Sequence, residues 1–233
     1  MEKLNFKSTT NIRRKPVWSD ISGRFSRDRD CLAAFLTLET AEILSGVKPS
    51  NLINLANRSK QCGRNFYALW KEHGIGLIGE SCLEVRELAD RGDSLLLLLY
   101  RKDLLENLLC RSNVINMLRM AGYREQLDIE SVVSELRTRL ADGGFPHEIG
   151  IFLGYPLKDV AGFLGWGRLP CSGCGPWRMY GNPSESLRLA KTFSLCRRRM
   201  ARRLLSSGMP YDCLRPDDRK YGHSGGKTNF RAA

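Results

Sequence analysis

Residues 91–100 read RGDSLLLLLY, and this stretch decides how the rest of the chain is interpreted. The tripeptide RGD at 91–93 is a turn signal, and residues 95–100 form a continuous apolar run. A run without polar residues is typical of a strand that is buried on both faces. We therefore predict a central strand here, paired in a hairpin with the segment that precedes the turn.

Helices and short strands are predicted on both sides of this hairpin. Helices are predicted where apolar residues recur every three or four positions between capping residues and glycines. Short strands are predicted where an apolar run is bounded by proline or glycine turns. Together they imply a small mixed β-sheet of about four strands covered by helices, an α+β (or α/β) architecture. The predicted helices are 32–44, a segment starting at Ser50, 65–72, 102–121, 128–141, 157–164 and 183–207, and the further strands are 148–153 and 177–180.

The positive charge is concentrated at the two ends of the chain. Within a net charge of +12, residues 1–30 contribute eight Lys/Arg against four Asp/Glu, and residues 196–233 contribute ten against three. Residues 1–30 and 209–233 also lack apolar periodicity, so both are predicted to be disordered basic extensions. A chain of 233 residues suffices for one core. We therefore predict a single α+β domain at 31–208 with flexible basic ends.

Composition argues against export and against membrane insertion. No stretch reaches the roughly 18 apolar residues of a membrane span, and the amino terminus lacks the apolar segment of a secretory signal. The eight cysteines are scattered along the chain. In a reducing compartment they would remain thiols, most of them within apolar patterns. These features predict a cytoplasmic protein.

The central histidine of the chain precedes an apolar run bounded by prolines. Residues 145–160 read FPHEIGIFLGYPLKDV. A neutral imidazole binds metals and titrates near neutrality, so His147 with Glu148 could form a catalytic or metal site. Gly150 inside the run indicates that another backbone or a ligand approaches closely. The alternative is a histidine that caps a strand entry, which the absence of a second histidine at metal-ligand spacing favours.

The second candidate site is the cysteine pair in LPCSGCGPWRMYG, residues 169–181. Cys171 and Cys174 have the spacing of a zinc knuckle, but a tetrahedral site needs two further ligands and no second pair exists. A thioredoxin-type pair opens a helix, whereas this pair precedes an apparent strand. Two ordinary loop thiols are therefore favoured, and a metal or redox pair is the alternative.

A third candidate is the arginine-rich stretch CRRRMARRLL at 196–205 in the last predicted helix. Its arginines could contact phosphates and give weak, salt-sensitive nucleic-acid binding. Few aromatic residues accompany them, which favours a solvated helix face. The arginines are Arg197, Arg198, Arg199, Arg202 and Arg203.

Several phrases resemble, in the same order, the domain of unknown function 3793 family of bacterial proteins. They are SGVKPSNLINL at 45–55, LLLLLYRKDLL at 95–105, FPHEIGIFLGYPLKDVAGF at 145–163 and CSGCGPWRMYG at 171–181. The resemblance covers about residues 31–208, and the family has no established activity to transfer. It implies that Cys171, Trp177 and Tyr180 occupy recurrent positions of the family and that Cys174 does not, which weakens the zinc interpretation.

We hypothesise a ligand pocket where residues 148–153 meet the cysteine loop. His147 would bind a metal or act as an acid or base oriented by Glu148, and Cys171 and Cys174 would be soft ligands. Genes of this family lie near iron-uptake genes. The resemblance therefore implies that the ligand is a metal ion or haem and that the protein serves iron or redox metabolism. The alternatives are nucleic-acid or acidic-partner binding through the basic ends, and an enzyme that uses His147 and Glu148. The residues predicted to contact the ligand are Gly150, Tyr155, Trp177 and Tyr180.

Overall fold

A computed structural model describes residues 16–124, 126–206 and 209–215. Within these residues, helices cover a three-stranded antiparallel sheet, and a further two-stranded sheet forms a hairpin. The fold class is therefore α+β, as predicted, but the strands are divided between two sheets and all pair antiparallel. The strands are β1 (Ser50–Ala56), β2 (Glu84–Asp90), β3 (Ser94–Tyr100), β4 (Cys171–Cys174) and β5 (Arg178–Tyr180).

Helices fill most of the remaining described chain. A π-helical turn at Trp70–Gly74 joins two of them, and two 3₁₀ turns at Trp18–Asp20 and Ser22–Arg24 precede the first. None of the described helices has the length and apolar character needed to cross a bilayer. The helices are α1 (Asp28–Glu39), α2 (Ala41–Leu44), α3 (Phe66–Leu69), α4 (Ile75–Gly79), α5 (Lys102–Leu109), α6 (Ser112–Met120), α7 (Ile129–Ala141), α8 (Ile149–Phe152), α9 (Leu157–Phe163), α10 (Ser184–Ser206) and α11 (Pro210–Leu214).

The central strand is β3, which pairs with β1 on one side and with β2 on the other. Its side chains alternate between two cores, because successive residues of a strand point to opposite faces. Leu95, Leu97 and Leu99 are buried in the first core, whereas Leu98 and Tyr100 are buried in the second. This arrangement confirms the prediction of a hairpin whose second strand is covered on both faces.

The two cores lie on opposite faces of the three-stranded sheet. The first core contains α1 to α4 together with residues of α10 and α11. The second core contains residues of α5 to α9. The hydroxyl of Ser50 at the start of β1 donates a hydrogen bond to the carbonyl of Phe152 in α8 at 2.6 Å. This bond fixes α8, and with it the stretch 145–160, against the sheet.

Several predicted elements differ in the structure, among them the helix at 32–44, which is divided into α1 and α2, and the cysteine loop, which contains strand β4. The segment from Ser50 is strand β1 instead of a helix, residues 149–152 are helix α8 instead of a strand, and residues 102–121 form two helices instead of one. A short apolar run has no periodicity that separates a strand from a helix when it is buried on every side. Ile149, Ile151 and Phe152 are all buried, so this ambiguity applies to α8.

The structure describes part of each predicted extension. Trp18, Ile21 and Phe25 are buried in the first core, and the ring of Trp18 contacts those of Phe35 and Phe66 edge-on. These side chains within residues 16–30 thus pack in the first core, and α11, which follows the predicted boundary at 209, is packed in the same core. Residues 1–15 and 216–233 of the predicted extensions lie outside the described residues.

Candidate functional site

An apolar pocket with a volume of about 240 Å³ lies between β1, α8, α9 and the β4–β5 hairpin. We refer to it as the aromatic pocket. It brings together four residues that the sequence predicted for a site, namely His147, Gly150, Tyr155 and Trp177. Phe145, Phe163 and Arg178 line it as well. Its aliphatic wall residues are Leu52, Ile149, Leu153 and Val160.

One wall of the aromatic pocket is a stack of two aromatic rings. The rings of Tyr155 and Trp177 lie 4.5 Å apart between centroids, with an interplanar angle of 19°. The indole nitrogen of Trp177 donates a hydrogen bond to Oδ2 of Asp159 at 2.8 Å. A buried indole N–H that lacks a partner would be costly, so this bond selects the orientation of the ring. Asp159 therefore positions the wall.

Asp159 is a buried carboxylate with four hydrogen-bond donors around it, and its exposed fraction is 2%. Its other three donors are Nζ of Lys158 at 2.8 Å, the backbone N–H of Tyr180 at 2.8 Å and Oγ of Ser186 at 2.5 Å. Burial by itself would raise the pKa of Asp159, but the hydrogen bonds, led by that of Lys158, outweigh it and lower the pKa. Asp159 is therefore an anion that joins α9 to the hairpin and to α10.

Two glycines allow the elements around the aromatic pocket to approach closely. A Cβ atom on Gly150 would lie 3.0 Å from Cγ2 of Val160, so α8 packs directly on α9. A Cβ atom on Gly162 would lie 2.3 Å from Cγ of Tyr180, a distance that side-chain atoms do not tolerate. The predicted close approach at Gly150 is thus to a neighbouring helix. Tyr180 packs on α9 and does not line the pocket.

His147 lies at the mouth of the aromatic pocket and is exposed. Its ring contacts two phenylalanine rings, at 5.6 Å from Phe145 and 5.0 Å from Phe163 between centroids. The guanidinium of Arg178 lies 5.8 Å from the centroid of the Phe163 ring. Neither His147 nor Arg178 forms a side-chain hydrogen bond or ion pair with another described residue. Both groups are therefore free to donate to a ligand.

Glu148 is held in a different environment from its neighbour His147. Its Oε1 accepts hydrogen bonds from Nη1 of Arg139 at 2.7 Å and from the hydroxyl of Tyr123 at 3.3 Å. Burial, followed by the charge of Glu148, raises the pKa of Tyr123, so this hydroxyl remains a proton donor. Glu148 does not line the aromatic pocket. The geometry gives it a structural role between α8 and α7 and does not pair it with His147.

Cys171 and Cys174 lie on β4, where both are exposed. Neither cysteine lines the aromatic pocket with His147, so the structure does not bring the predicted metal ligands together. In the part of the chain that the structure describes, no group of three or more His, Cys, Asp or Glu side chains could hold a metal ion. The described residues therefore give no support to the predicted metal or haem centre.

Thiol reactivity tests these assignments directly. We expect three cysteines to react rapidly with Ellman's reagent in the folded protein, namely the exposed Cys110, Cys171 and Cys174. Burial raises the pKa of the Cys31 thiol to about 11, so it is expected to react only after unfolding in urea. If only about one thiol reacted rapidly, Cys171 and Cys174 would be blocked. Recovery of three fast thiols after addition of a reductant would then indicate a disulfide between them, and recovery after addition of a chelator would indicate a bound metal.

The arginines predicted to contact phosphates divide into inward and outward groups. Arg197 is buried, and its guanidinium binds the carboxylate of Glu39 and the carbonyls of Leu38 and Pro16. Arg198 is half-buried and donates to Oγ of Ser194 at 3.0 Å. The exposed members are Arg199, Arg202 and Arg203. Arg197 and Arg198 therefore support the fold instead of a nucleic-acid surface.

Sequence reasoning did not assign Asp159 its role as the buried anion of the site, and it missed Arg178. Asp159 stands in the first turn of α9 directly after Lys158, a pattern that equally fits an exposed helix start. Arg178 follows Trp177 on a predicted edge strand, and nothing in the sequence indicates that it faces Phe163. The available signal for Asp159 was its position close to Leu157 and Val160, two apolar residues that pack on the second core.

Comparison with known proteins is consistent with the resemblance in the sequence. The family model described as "Protein of unknown function (DUF3793)" matches residues 36–214. This range includes every residue that lines the aromatic pocket and all four donors around Asp159. No curated protein and no solved structure matches the chain. Because the family model covers most of its length, the chain belongs to the DUF3793 family.

Proposed function

We propose that the protein binds a small aromatic carboxylate in the aromatic pocket. The observation that carries this proposal is the combination of an aromatic and aliphatic cavity with two uncommitted donors, His147 and Arg178, at its mouth. Ligand pockets commonly combine apolar walls with a few polar groups that fix the orientation of the ligand. Here the apolar walls would hold a ring, and the donors would hold its acid group.

The size of the cavity supports a ligand with one ring. Its volume of about 240 Å³ lies below the roughly 300–1,000 Å³ of pockets for drug-sized ligands. Such a cavity is too small for a haem. A planar ring would lie against the Tyr155–Trp177 stack, because offset stacking on aromatic faces is favourable.

The charges around the aromatic pocket support an acid as the ligand. Asp159 is the carboxylate among the lining residues, and its charge is already shared by four hydrogen-bond donors. The guanidinium of Arg178 has no such partner among the described residues. A planar guanidinium suits a carboxylate, since it can donate two parallel hydrogen bonds to it. A neutral ring would leave this interaction unused.

Binding is favoured over catalysis at this site. A general acid or base must lie within hydrogen-bond reach of the reacting group and is commonly oriented by a second residue. His147 has no such partner among the described residues, because Glu148 is bound to Arg139 and Tyr123. The aromatic pocket thus offers recognition groups without a paired catalytic residue.

Benzoate and its neutral isostere benzamide provide the test. We expect benzoate to bind, and Arg178→Gln to weaken it by roughly 10- to 100-fold, since a hydrogen bond to a charged group contributes about 1.5–3 kcal/mol. Benzamide should bind weakly to both proteins. The measurements are saturation-transfer NMR and calorimetry, with Arg168→Gln, an exposed arginine away from the pocket lining, as the matched control.

Two outcomes would contradict the proposal. Equal affinity for benzoate and benzamide in every variant would remove the role of Arg178 and His147 as acid-binding groups. Absence of benzoate binding at millimolar concentration, with no change in the ring resonances of Trp177 and Phe163, would remove the aromatic pocket as a ligand site.

A further inference from the structure

The exposed side of α10 carries four cations along one line. Successive helical residues are rotated by about 100°, so residues 188, 191, 199 and 202 fall within an arc of about 80°. All four side chains are exposed, and none forms a hydrogen bond or ion pair with another described residue. The single acidic residue of α10, Glu185, lies in the first turn. We call this surface the basic face; its residues are Arg188, Lys191, Arg199 and Arg202.

The opposite side of α10 is fixed in the protein interior. Phe193, Cys196, Met200 and Leu204 are buried there. Arg197, which is buried, adds an ion pair to the half-buried Glu39 in α1. The helix therefore cannot turn to expose its apolar side, and the basic face is presented in one orientation.

We propose that the basic face binds the phosphate backbone of a nucleic-acid duplex. From Arg188 to Arg202 the helix rises about 21 Å, which corresponds to roughly six base pairs at about 3.4 Å each. Three of the four cations are arginines, whose planar guanidinium donates two hydrogen bonds to a phosphate. The surface has charge and length but no exposed aromatic side chains, which suits a duplex backbone better than unstacked bases.

A membrane surface is a poorer match for the same helix. A helix that binds at a bilayer interface inserts an apolar side by about 5–10 Å. The apolar side of α10 is occupied by the first core. The exposed leucines of the helix are Leu187, Leu195 and Leu205, and only Leu195 lies within the arc of the four cations. The basic face would therefore touch lipid headgroups without inserting.

The salt dependence of binding tests the proposal. The full chain is titrated into fluorescein-labelled 20-base-pair duplexes of DNA and of RNA, and fluorescence anisotropy is followed at several salt concentrations. Four phosphate contacts predict a slope of log affinity against log salt of about −3.6 or steeper for DNA. Between 50 and 200 mM salt, affinity would then fall by about 150-fold or more. Comparison of the affinities for the DNA and RNA duplexes shows which of the two is bound more tightly.

Two matched triple variants separate the basic face from net charge. Arg188→Gln/Arg199→Gln/Arg202→Gln should reduce the magnitude of the slope by about 2.7, because three phosphate contacts are lost. Arg58→Gln/Arg91→Gln/Arg124→Gln removes the same charge from exposed arginines outside α10 and should change the slope by less than about 1. Thermal unfolding verifies that both variants are folded.

Three outcomes would overturn the proposal. The first is no binding of either duplex at 50 mM salt. The second is an equal loss of slope in the two triple variants. The third is binding to phosphatidylglycerol vesicles that Leu195→Gln abolishes, without duplex binding, which would assign the surface to a membrane.

Discussion

Replacement of Asp159 by asparagine is expected to lower the free energy of unfolding by about 3 kcal/mol, because it removes a buried charge whose partners remain. The carboxylate of Asp159 has two oxygens that accept hydrogen bonds, whereas the side chain of an asparagine has one. The NH₂ group that replaces the second oxygen would therefore face two of the hydrogen-bond donors that now surround Asp159. Ser186 can rotate its hydroxyl to accept a hydrogen bond, but the indole N–H of Trp177 cannot accept. The amide N–H of the asparagine and the indole N–H of Trp177 would then face each other without an acceptor. The ring of Trp177 would no longer be held by a hydrogen bond in the wall of the aromatic pocket.

Thermal and urea denaturation measure this change. For a domain of this size the loss corresponds to a decrease in Tm of roughly 6–12 °C. The matched control is Asp103→Asn, which removes a carboxylate that is 51% exposed in its ion pair with Arg101 and should cost less than about 1 kcal/mol. Equal effects of the two substitutions would show that Asp159 has no special role in the fold.

Acid titration provides a second signature of Asp159. The pKa of this carboxylate is lower in the folded protein than its ordinary value, since its hydrogen bonds outweigh burial. A group whose pKa is lowered by folding stabilises the protein fully above its unfolded pKa, about 3.9, and loses that contribution as pH falls through the folded pKa. The stability difference between the wild type and Asp159→Asn should be constant near neutral pH and should shrink below about pH 4.

The second large effect is expected for Gly162→Ala. The new methyl group would lie 2.3 Å from Cγ of Tyr180 and 2.8 Å from its Cβ, so the β4–β5 hairpin would have to move away from α9. Overpacking of this kind costs about 1–3 kcal/mol, and the gain of about 1 kcal/mol from helix propensity offsets only part of it. Displacement of the hairpin would also move Trp177, so benzoate affinity should fall together with stability.

The control for this substitution is another helical glycine. Gly76 in α4 is exposed, and a Cβ atom there would have nothing within 4 Å. Gly76→Ala should therefore raise stability by up to about 1 kcal/mol. Opposite signs for the two Gly→Ala changes in urea denaturation would support the contact between Gly162 and Tyr180. A stabilising effect of Gly162→Ala would contradict it.

The parts of the fold that the sequence predicted correctly have a strong local signal. Residues 95–100 could be assigned as a central strand because an uninterrupted apolar run after a turn suits burial on two faces. The helix at 128–141 could be assigned because Asp128 caps it, and its side chain does accept from the backbone of Ser131 at 2.8 Å. Residues 50–56 and 149–152 were assigned to the wrong type of element because tertiary contacts decide them, as the hydrogen bond between Ser50 and Phe152 illustrates.

The candidate site was predictable in position but not in chemistry. The stretch around His147 and the residue Trp177 could be singled out, and both lie at the aromatic pocket. The direction in which a side chain points depends on the element that carries it. Once residues 149–152 are a helix, Glu148 turns toward Arg139 and separates from His147. The spacing of Cys171 and Cys174 likewise does not indicate whether a third metal-ligating side chain lies close to them.

The first core has a consequence for how the protein folds during synthesis. It is built from both ends of the described chain: Arg197 donates to the carbonyl of Pro16 at 2.7 Å, and the hydroxyl of Tyr211 donates to Asp30 at 2.5 Å. The second core draws mainly on the contiguous residues 88–160. On the ribosome, the second core can assemble as soon as those residues emerge. The core around Trp18, Phe35 and Phe66, by contrast, remains incomplete until α10 and α11 are available to pack on it. Until α10 and α11 have emerged and packed, the nascent chain presents an exposed apolar surface, which is the kind of surface that chaperones bind.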